Sequence, residues 1–289
     1  MSSTVPKVSI IIPACNESKG LQSFICELIK QYPSPDYEVI VVNDGSTDDT
    51  ADIAMQSGAR VISHPYQIGN GAAIKSGARA AKGSIFLFMD ADGQHDISNI
   101  KKLLDEYPGY DMVVGTRSKK SQASFFRWCG NKMYNALASH LVNQPVLDLT
   151  SGFRVVNAEY FKEFLYLLPN GFSYPSTITM AFFRNGYSVK YAPIIVHKRI
   201  GKSHLKPFSD GLRFFIIIYK ITTLYSPLKI FIPFSCLYFL AGLCNYAYTY
   251  TTQGRFTNMS AILFSTAMVV FLIGLISEQI TTLRYQKNN

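Results

Sequence analysis

Five short apolar runs punctuate the first 115 positions: Lys7–Pro13 (KVSIIIP), Tyr37–Asn43 (YEVIVVN), Arg60–Ser63, Ile85–Met89 (IFLFM) and Met112–Gly115. They are rich in β-branched and aromatic residues and do not alternate with polar ones. That pattern predicts strands buried on both faces, as in a parallel sheet. The stretches between them, Lys19–Gln31, Asp48–Ser57, Gly71–Ala81 and Ile97–Glu106, read as helices; Asp48 or Thr47 can cap the second and Gly58 can end it. Strands alternating with helices at this spacing predict a doubly wound, mostly parallel α/β sheet. Ligands of such sheets bind beyond the carboxyl ends of the strands.

The pattern changes in the C-terminal third. No charged residue occurs in the 25 positions from Ile230 to Gly254, nor in the 22 from Phe256 to Ser277. Each run is long enough to span a bilayer as a helix, which takes about 18 to 20 apolar residues. Two transmembrane helices are predicted, at about 229–250 and 257–280. Just before them, residues 207–226 are apolar with Arg213 and Lys220 seven apart and so on one helical face. A helix of that kind lies in the interface with its cations near lipid phosphates. The expected organisation is an α/β domain over 1–206, an interfacial amphipathic helix over 207–226, and a hairpin of two spans with a short tail over 227–289.

Charge orients this arrangement. Lys198, Arg199, Lys202, Lys206, Arg213, Lys220 and Lys229 precede the first span against a single Asp210, and Arg284 and Lys287 follow the second. The positive-inside rule then puts both termini on the cytoplasmic side and the turn outside. The opening MSSTVPKVSI is too polar for a signal peptide, so the α/β domain is expected in the cytoplasm.

Composition narrows the class. Charged residues are 16% of the 289, hydrophobic residues 48% and aromatics 13%, which excludes a disordered chain. Five cysteines without a CxxC pair do not make a disulfide scaffold. The net charge of +9 is unevenly spread: residues 1–110 carry 9 basic and 13 acidic residues, and residues 111–289 carry 19 and 6. The basic residues cluster beside the spans and form no groove-reading motif, so a nucleic-acid partner is not expected.

The polar clusters fall at strand ends. The first strand runs into Pro13-Ala14-Cys15-Asn16-Glu17, the second into Asn43-Asp44-Gly45-Ser46, and the fourth into Asp90-Ala91-Asp92-Gly93-Gln94. The absence of GxGxxG after the first strand argues against a nicotinamide site. Asp90 and Asp92, one residue apart, suit a shared hard divalent cation, with Gln94 adding a neutral oxygen. Mg²⁺ or Mn²⁺ held in this way leaves positions open for substrate phosphates. Acidic turn residues are common at strand ends, so the pair alone is a weak signal. Glu17 and Asp44 at the same sheet edge strengthen it, because clustered carboxylates repel unless a cation or hydroxyl-rich ligand lies among them.

Taken together, VSIIIPACNES, VVNDGSTDDT, GNGAAIKSGARAAKGSIFLFMDADGQH, GTR and DLTSGFR resemble the family 2 glycosyltransferases of GT-A fold. The similarity is to the polyprenyl-phosphate sugar transferases, the dolichol-phosphate mannose synthase type, over roughly residues 7–225. The resemblance implies that Pro13, Cys15, Glu17, Val42, Asp44, Asp90, Ala91 and Asp92 bind the nucleotide sugar and that Asp90, Asp92 and Gln94 hold the metal. It implies that Arg117, Arg127, Arg199 and Lys202 face the acceptor phosphate, that Asp92, Asp148 and Arg117 act in catalysis, and that Tyr174 and Pro175 shape a loop near the sugar. One departure is that His204 follows Ser203 where the family often has lysine, leaving Arg199 or Lys202 to supply that charge.

The expected activity is therefore transfer of one sugar, with inversion, from a UDP- or GDP-linked donor to undecaprenyl or dolichyl phosphate at the cytoplasmic membrane face. A family 2 transferase using a hydroxyl acceptor in polysaccharide or glycolipid synthesis is the alternative, with Asp148 as its only obvious base. Expected partners are the nucleotide sugar, the lipid phosphate and the membrane; paired spans can also pack against other copies of the chain.

Overall fold

The computed structural model describes residues 6–91, 93, 96–117, 125–171, 174–194, 223 and 225–286. Two compact units result, Met1–His204 and Leu205–Asn289.

The first unit is built on seven strands: β1 (Val8–Ala14), β2 (Tyr37–Asn43), β3 (Arg60–Ser63), β4 (Ile85–Phe88), β5 (Met112–Arg117), β6 (Arg154–Asn157) and β7 (Val189–Ile194). They form one sheet in the order β3-β2-β1-β4-β6-β5-β7. Every neighbouring pair is parallel except the two made by β6, which runs antiparallel to β4 and β5. All five predicted strands are present with their ends shifted by at most two residues. The pattern did not single out β6 or β7, for physical reasons. β6 is four residues long and opens on a charge, while β7 is half-exposed and carries Lys190 and Pro193.

Helices α1 (Ser18–Gln31), α2 (Thr50–Gln56), α3 (Asn70–Ala80) and α4 (Ser98–Glu106) follow the predicted stretches. Three more, α5 (Phe125–Val142), α6 (Ala158–Glu163) and α7 (Tyr174–Arg184), complete the unit. Alternation along β1 assigns the two sheet faces. Ile10 and Ile12 join Leu21, Ile25 and Leu28 of α1 and Ile100 and Leu103 of α4 in one fully buried cluster. Ile11 points the other way, against α3 at Gly77. On that second face Phe88 packs on Phe161 of α6 and Tyr174 of α7. Helices on both faces thus explain why the strands are continuously apolar.

The second unit contains α8 (Leu228–Gln253) and α9 (Asn258–Gln286), two helices long and apolar enough to cross a membrane. At about 1.5 Å per residue, each exceeds a hydrocarbon core of about 30 Å. Phe234, Leu237 and Leu240 on α8 and Ile262, Met268 and Ile280 on α9 are exposed, as lipid-facing side chains would be. The two helices are tied by polar bonds. Asn245 Oδ1 accepts from Ser260 Oγ at 2.9 Å and Thr257 Oγ1 at 3.3 Å, and Ser235 Oγ donates to the Ala267 carbonyl at 2.8 Å. Glu278 Oε2 accepts the Leu228 N–H at 3.3 Å. The helices run closer together in sequence than predicted, leaving only residues 254–257 between them. The predicted interfacial helix over 207–226 lies almost wholly outside the described residues.

Candidate active site

The ends of β1 and β2 are interlocked before any ligand is considered. Asn16, with φ of 56°, accepts the Thr47 N–H on its Oδ1 at 2.8 Å, and its own N–H donates to Ser46 Oγ at 3.0 Å. The Glu17 N–H donates to Thr50 Oγ1 at 3.0 Å. Burial first, and then the carboxylates of Asp44, Asp48 and Glu17, push the Cys15 thiol up. A thiol shifted in this direction ionises less readily than a free one.

Asp44, at the end of β2, is 3% exposed and heavily engaged. Its Oδ1 accepts the Ile68 N–H at 3.0 Å and lies 2.8 Å from His64 Nδ1, while its Oδ2 accepts the Gly69 N–H at 2.8 Å. His64 Nε2 in turn stands 2.8 Å from Ser76 Oγ of α3. Asp44 thus pins the loop between β3 and α3 to the sheet edge. Gly45, with φ of 67°, makes this close approach possible, because a Cβ there would lie 2.3 Å from the Tyr66 carbonyl carbon. Sequence reasoning gave His64 no role; its place between Asp44 and Ser76 depends on a tertiary contact with no motif.

Asp90 follows β4, half-buried, beside the backbone of Gly152. A Cβ at position 152 would stand 3.2 Å from Asp90 Oδ2 and 3.5 Å from the Tyr174 hydroxyl, which itself donates to the Gly152 carbonyl at 3.4 Å. Tyr174 and Pro175 open α7. Burial drives the Tyr174 phenol well above its ordinary pKa, so it stays a donor. Asp92 and Gln94 lie outside the described residues, and among the described residues no three of His, Cys, Asp and Glu stand together. Asp90 fits a cation: it is an acidic oxygen donor at the ligand edge, with the bare backbone of Gly152 beside it rather than a side chain.

Arg117, at the end of β5, meets Asp148 in the segment leading to β6. Nε donates to Oδ2 and Nη2 to Oδ1, both at 2.9 Å, and Nη2 also reaches Thr150 Oγ1 at 2.5 Å. Burial alone would raise the Asp148 carboxyl, but hydrogen bonds and charge from Arg117 outweigh it and hold the carboxyl below its usual range. Burial likewise works against the Arg117 cation, and Asp148, with a further contribution from Asp90, raises it. Two predicted catalytic residues are therefore brought together as an ion pair, with the charge of Asp90 close enough to be felt. Arg127 lies in the first turn of α5 with its side chain outside the description, and Arg199 and Lys202 lie outside the described residues altogether.

Arg154, the last residue of DLTSGFR, was not singled out as a site residue. It is fully buried on β6 and donates to the carbonyls of Ser151 and, at 3.1 Å, Pro175, and to Thr179 Oγ1 at 3.0 Å. Its guanidinium ties the segment before β6 to the first turn of α7. The signal was an arginine set between Phe153 and two valines, a charge inside an apolar strand.

The sequence matches known proteins over the same regions. The model of glycosyl transferase family 2 matches residues 9–165, and that of the GtrB C-terminal hairpin matches residues 226–283. A dolichyl-phosphate hexose transferase of Haloferax volcanii is 30% identical over 211 residues, covering 72% of this chain and 90% of its own. Glycosyltransferase AglJ of the same organism is 26% identical over 98% of this chain and 97% of its own. An undecaprenyl-phosphate 4-deoxy-4-formamido-L-arabinose transferase of Proteus mirabilis is 33% identical over 50% of this chain and 47% of its own. Among solved structures, glucosyl-3-phosphoglycerate synthase from Mycobacterium tuberculosis, in complex with Mn²⁺, UDP-glucose and phosphoglyceric acid, superposes with a TM-score of 0.61. It is 22% identical over 75% of this chain and 79% of its own, a likeness of fold.

Proposed function

The chain belongs to glycosyltransferase family 2, and from that premise we propose that it moves a single sugar from a nucleotide diphosphate sugar to a polyprenyl phosphate at the cytoplasmic face of a membrane. The observation that carries the choice of acceptor is the Arg117–Asp148 pair. A hydroxyl acceptor needs a carboxylate base, and the best-placed candidate is bidentately bound to an arginine and held more acidic than usual. A base of that kind is poorly matched to a sugar hydroxyl. A phosphate monoester arrives already ionised and needs no base.

In this reading the β1 and β2 ends, with Pro13, Cys15, Glu17 and Val42, receive the nucleoside. Asp44 joins them, and its bonds to the Ile68 and Gly69 N–H groups also fix the loop over 64–69. Asp90, Asp92 and Gln94 would hold Mg²⁺ or Mn²⁺, which supplies charge neutralisation to the diphosphate leaving group. Arg117 offers its remaining guanidinium donors to the lipid phosphate while Asp148 sets its orientation. Arg127, Arg199 and Lys202 add positive charge for the same anion. The phosphate oxygen attacks the anomeric carbon in line as the bond to the nucleotide oxygen breaks, leaving its electrons on the departing diphosphate. The product is inverted and remains lipid-linked. Positioning and charge compensation carry the rate.

The hairpin of α8 and α9 anchors the enzyme, with residues 1–206 and both termini on the cytoplasmic side and residues 207–226 lying in the headgroup plane. The test is a donor and acceptor screen with purified protein: labelled UDP- and GDP-sugars against undecaprenyl phosphate, dolichyl phosphate and hydroxyl-bearing glycan or glycolipid acceptors, with Mg²⁺ or Mn²⁺. Radiolabel should enter a lipid phosphate; transfer only to hydroxyl acceptors would overturn the assignment.

A further inference from the structure

Asp148 is held from behind by α5. The Asn135 side chain grips both peptide groups that flank it: Nδ2 donates to the Leu147 carbonyl at 2.6 Å, and Oδ1 accepts the Leu149 N–H at 3.1 Å. One turn along the helix, Ser139 Oγ accepts the Val146 N–H at 2.9 Å and donates to the Asn135 carbonyl at 2.7 Å. The two side chains do different things. Ser139 fastens the loop two residues upstream, whereas Asn135 fixes the peptide planes on either side of the Asp148 Cα. That sets the direction in which the carboxylate leaves the backbone. An amide is suited to this, having an acceptor and donors on one planar uncharged group. At Asp148 the direction matters, because both carboxylate oxygens must meet Arg117 in register for the paired bonds at 2.9 Å.

We propose that Asn135 is a positioning residue of the transferase: it presents Asp148 to Arg117 and thereby aims the Arg117 guanidinium at the acceptor phosphate. The role rests on the reading of Arg117 as an acceptor ligand. Asn135 touches no substrate and acts only through Asp148.

The experiment is a double-mutant cycle on sugar transfer by the full-length protein in detergent, with undecaprenyl phosphate as acceptor. Asn135→Ala should lower kcat/KM for the acceptor by roughly tenfold or more, as misplaced groups do, with KM for the nucleotide sugar within about twofold of wild type. Asn135→Asp, which keeps the acceptor for the Leu149 N–H but loses the donor, should fall between wild type and alanine. In an Asp148→Ala background, Asn135→Ala should add less than about twofold, because nothing remains to be aimed. Ser139→Ala, which loosens the same loop at its far end, should lower Tm yet leave acceptor kcat/KM within about twofold. Losses that multiply fully in the double variant, or a Ser139→Ala loss equal to that of Asn135→Ala, would overturn the role and mark Asn135 as a fold-stabilising residue. Absence of wild-type transfer to the lipid phosphate would instead overturn the acceptor reading.

Discussion

Gly152 presents bare backbone to the Asp90 carboxylate, so closely that a single added methyl group would stand 3.2 Å from Oδ2. The Tyr174 hydroxyl closes the other side of the same gap. Gly152→Ala should therefore leave the fold nearly intact while turning Asp90. The expected result is a several-fold rise in the Mg²⁺ or Mn²⁺ concentration for half-maximal transfer, with Tm changed by no more than about 2–4 °C, the shift given by about 1 kcal/mol. Metal titration of the variant beside wild type checks it.

Asp148→Asn replaces an acidic partner by a neutral one that cannot accept on both sides. Arg117 is partly exposed, so the cost in stability is discounted to about 1–2 kcal/mol. The sign with pH follows from the depressed carboxyl. Its contribution is fully present above the unfolded value of about 3.9 and is lost only as pH falls through the lower folded value. Thermal melts of wild type from pH 5 to 8 should carry no slope from this group, and the difference between wild type and variant should shrink below about pH 4. A difference constant to acid pH would show that the pair does not form.

His64→Ala removes the ring that bridges Asp44 and Ser76 in a nearly closed site. The loop over 64–69 should loosen, costing about 1–2 kcal/mol and raising KM for the nucleotide sugar more than KM for the lipid. Steady-state kinetics with each substrate varied in turn separates the two.

Asn245→Ala removes the acceptor shared by Ser260 and Thr257 in the hairpin. Such bonds are worth about 0.6 kcal/mol on average inside membranes, so unfolding in detergent should shift slightly while the kinetic constants hold. A large loss of transfer would show that the hairpin does more than anchor.

The sheet was legible in the sequence wherever strands are buried on both faces, since continuous runs such as Ile10–Ile12 and Val39–Val42 can only be interior. β6 escaped because four residues beginning with Arg154 give no run to see. The strand-end acids and Arg117 could be placed by topology and by resemblance. What they touch could not: Asp44 accepts the N–H groups of Ile68 and Gly69 and lies against His64, contacts that no local pattern encodes. Asn135 and Arg154 act through contacts 12 to 25 residues away in sequence, which no local pattern encodes.

The reversed strand has a consequence for how the protein can change. A parallel strand delivers its last residue to the ligand edge, and β6 delivers its first. The segment from Asp148 to Phe153 therefore reaches the edge where β4 leaves Asp90 and β5 leaves Arg117, and it serves both: Asp148 to the arginine, Gly152 to the aspartate. A residue inserted or deleted between positions 148 and 152 would shift one partnership against the other. The stretch should therefore tolerate substitution better than any change in its length.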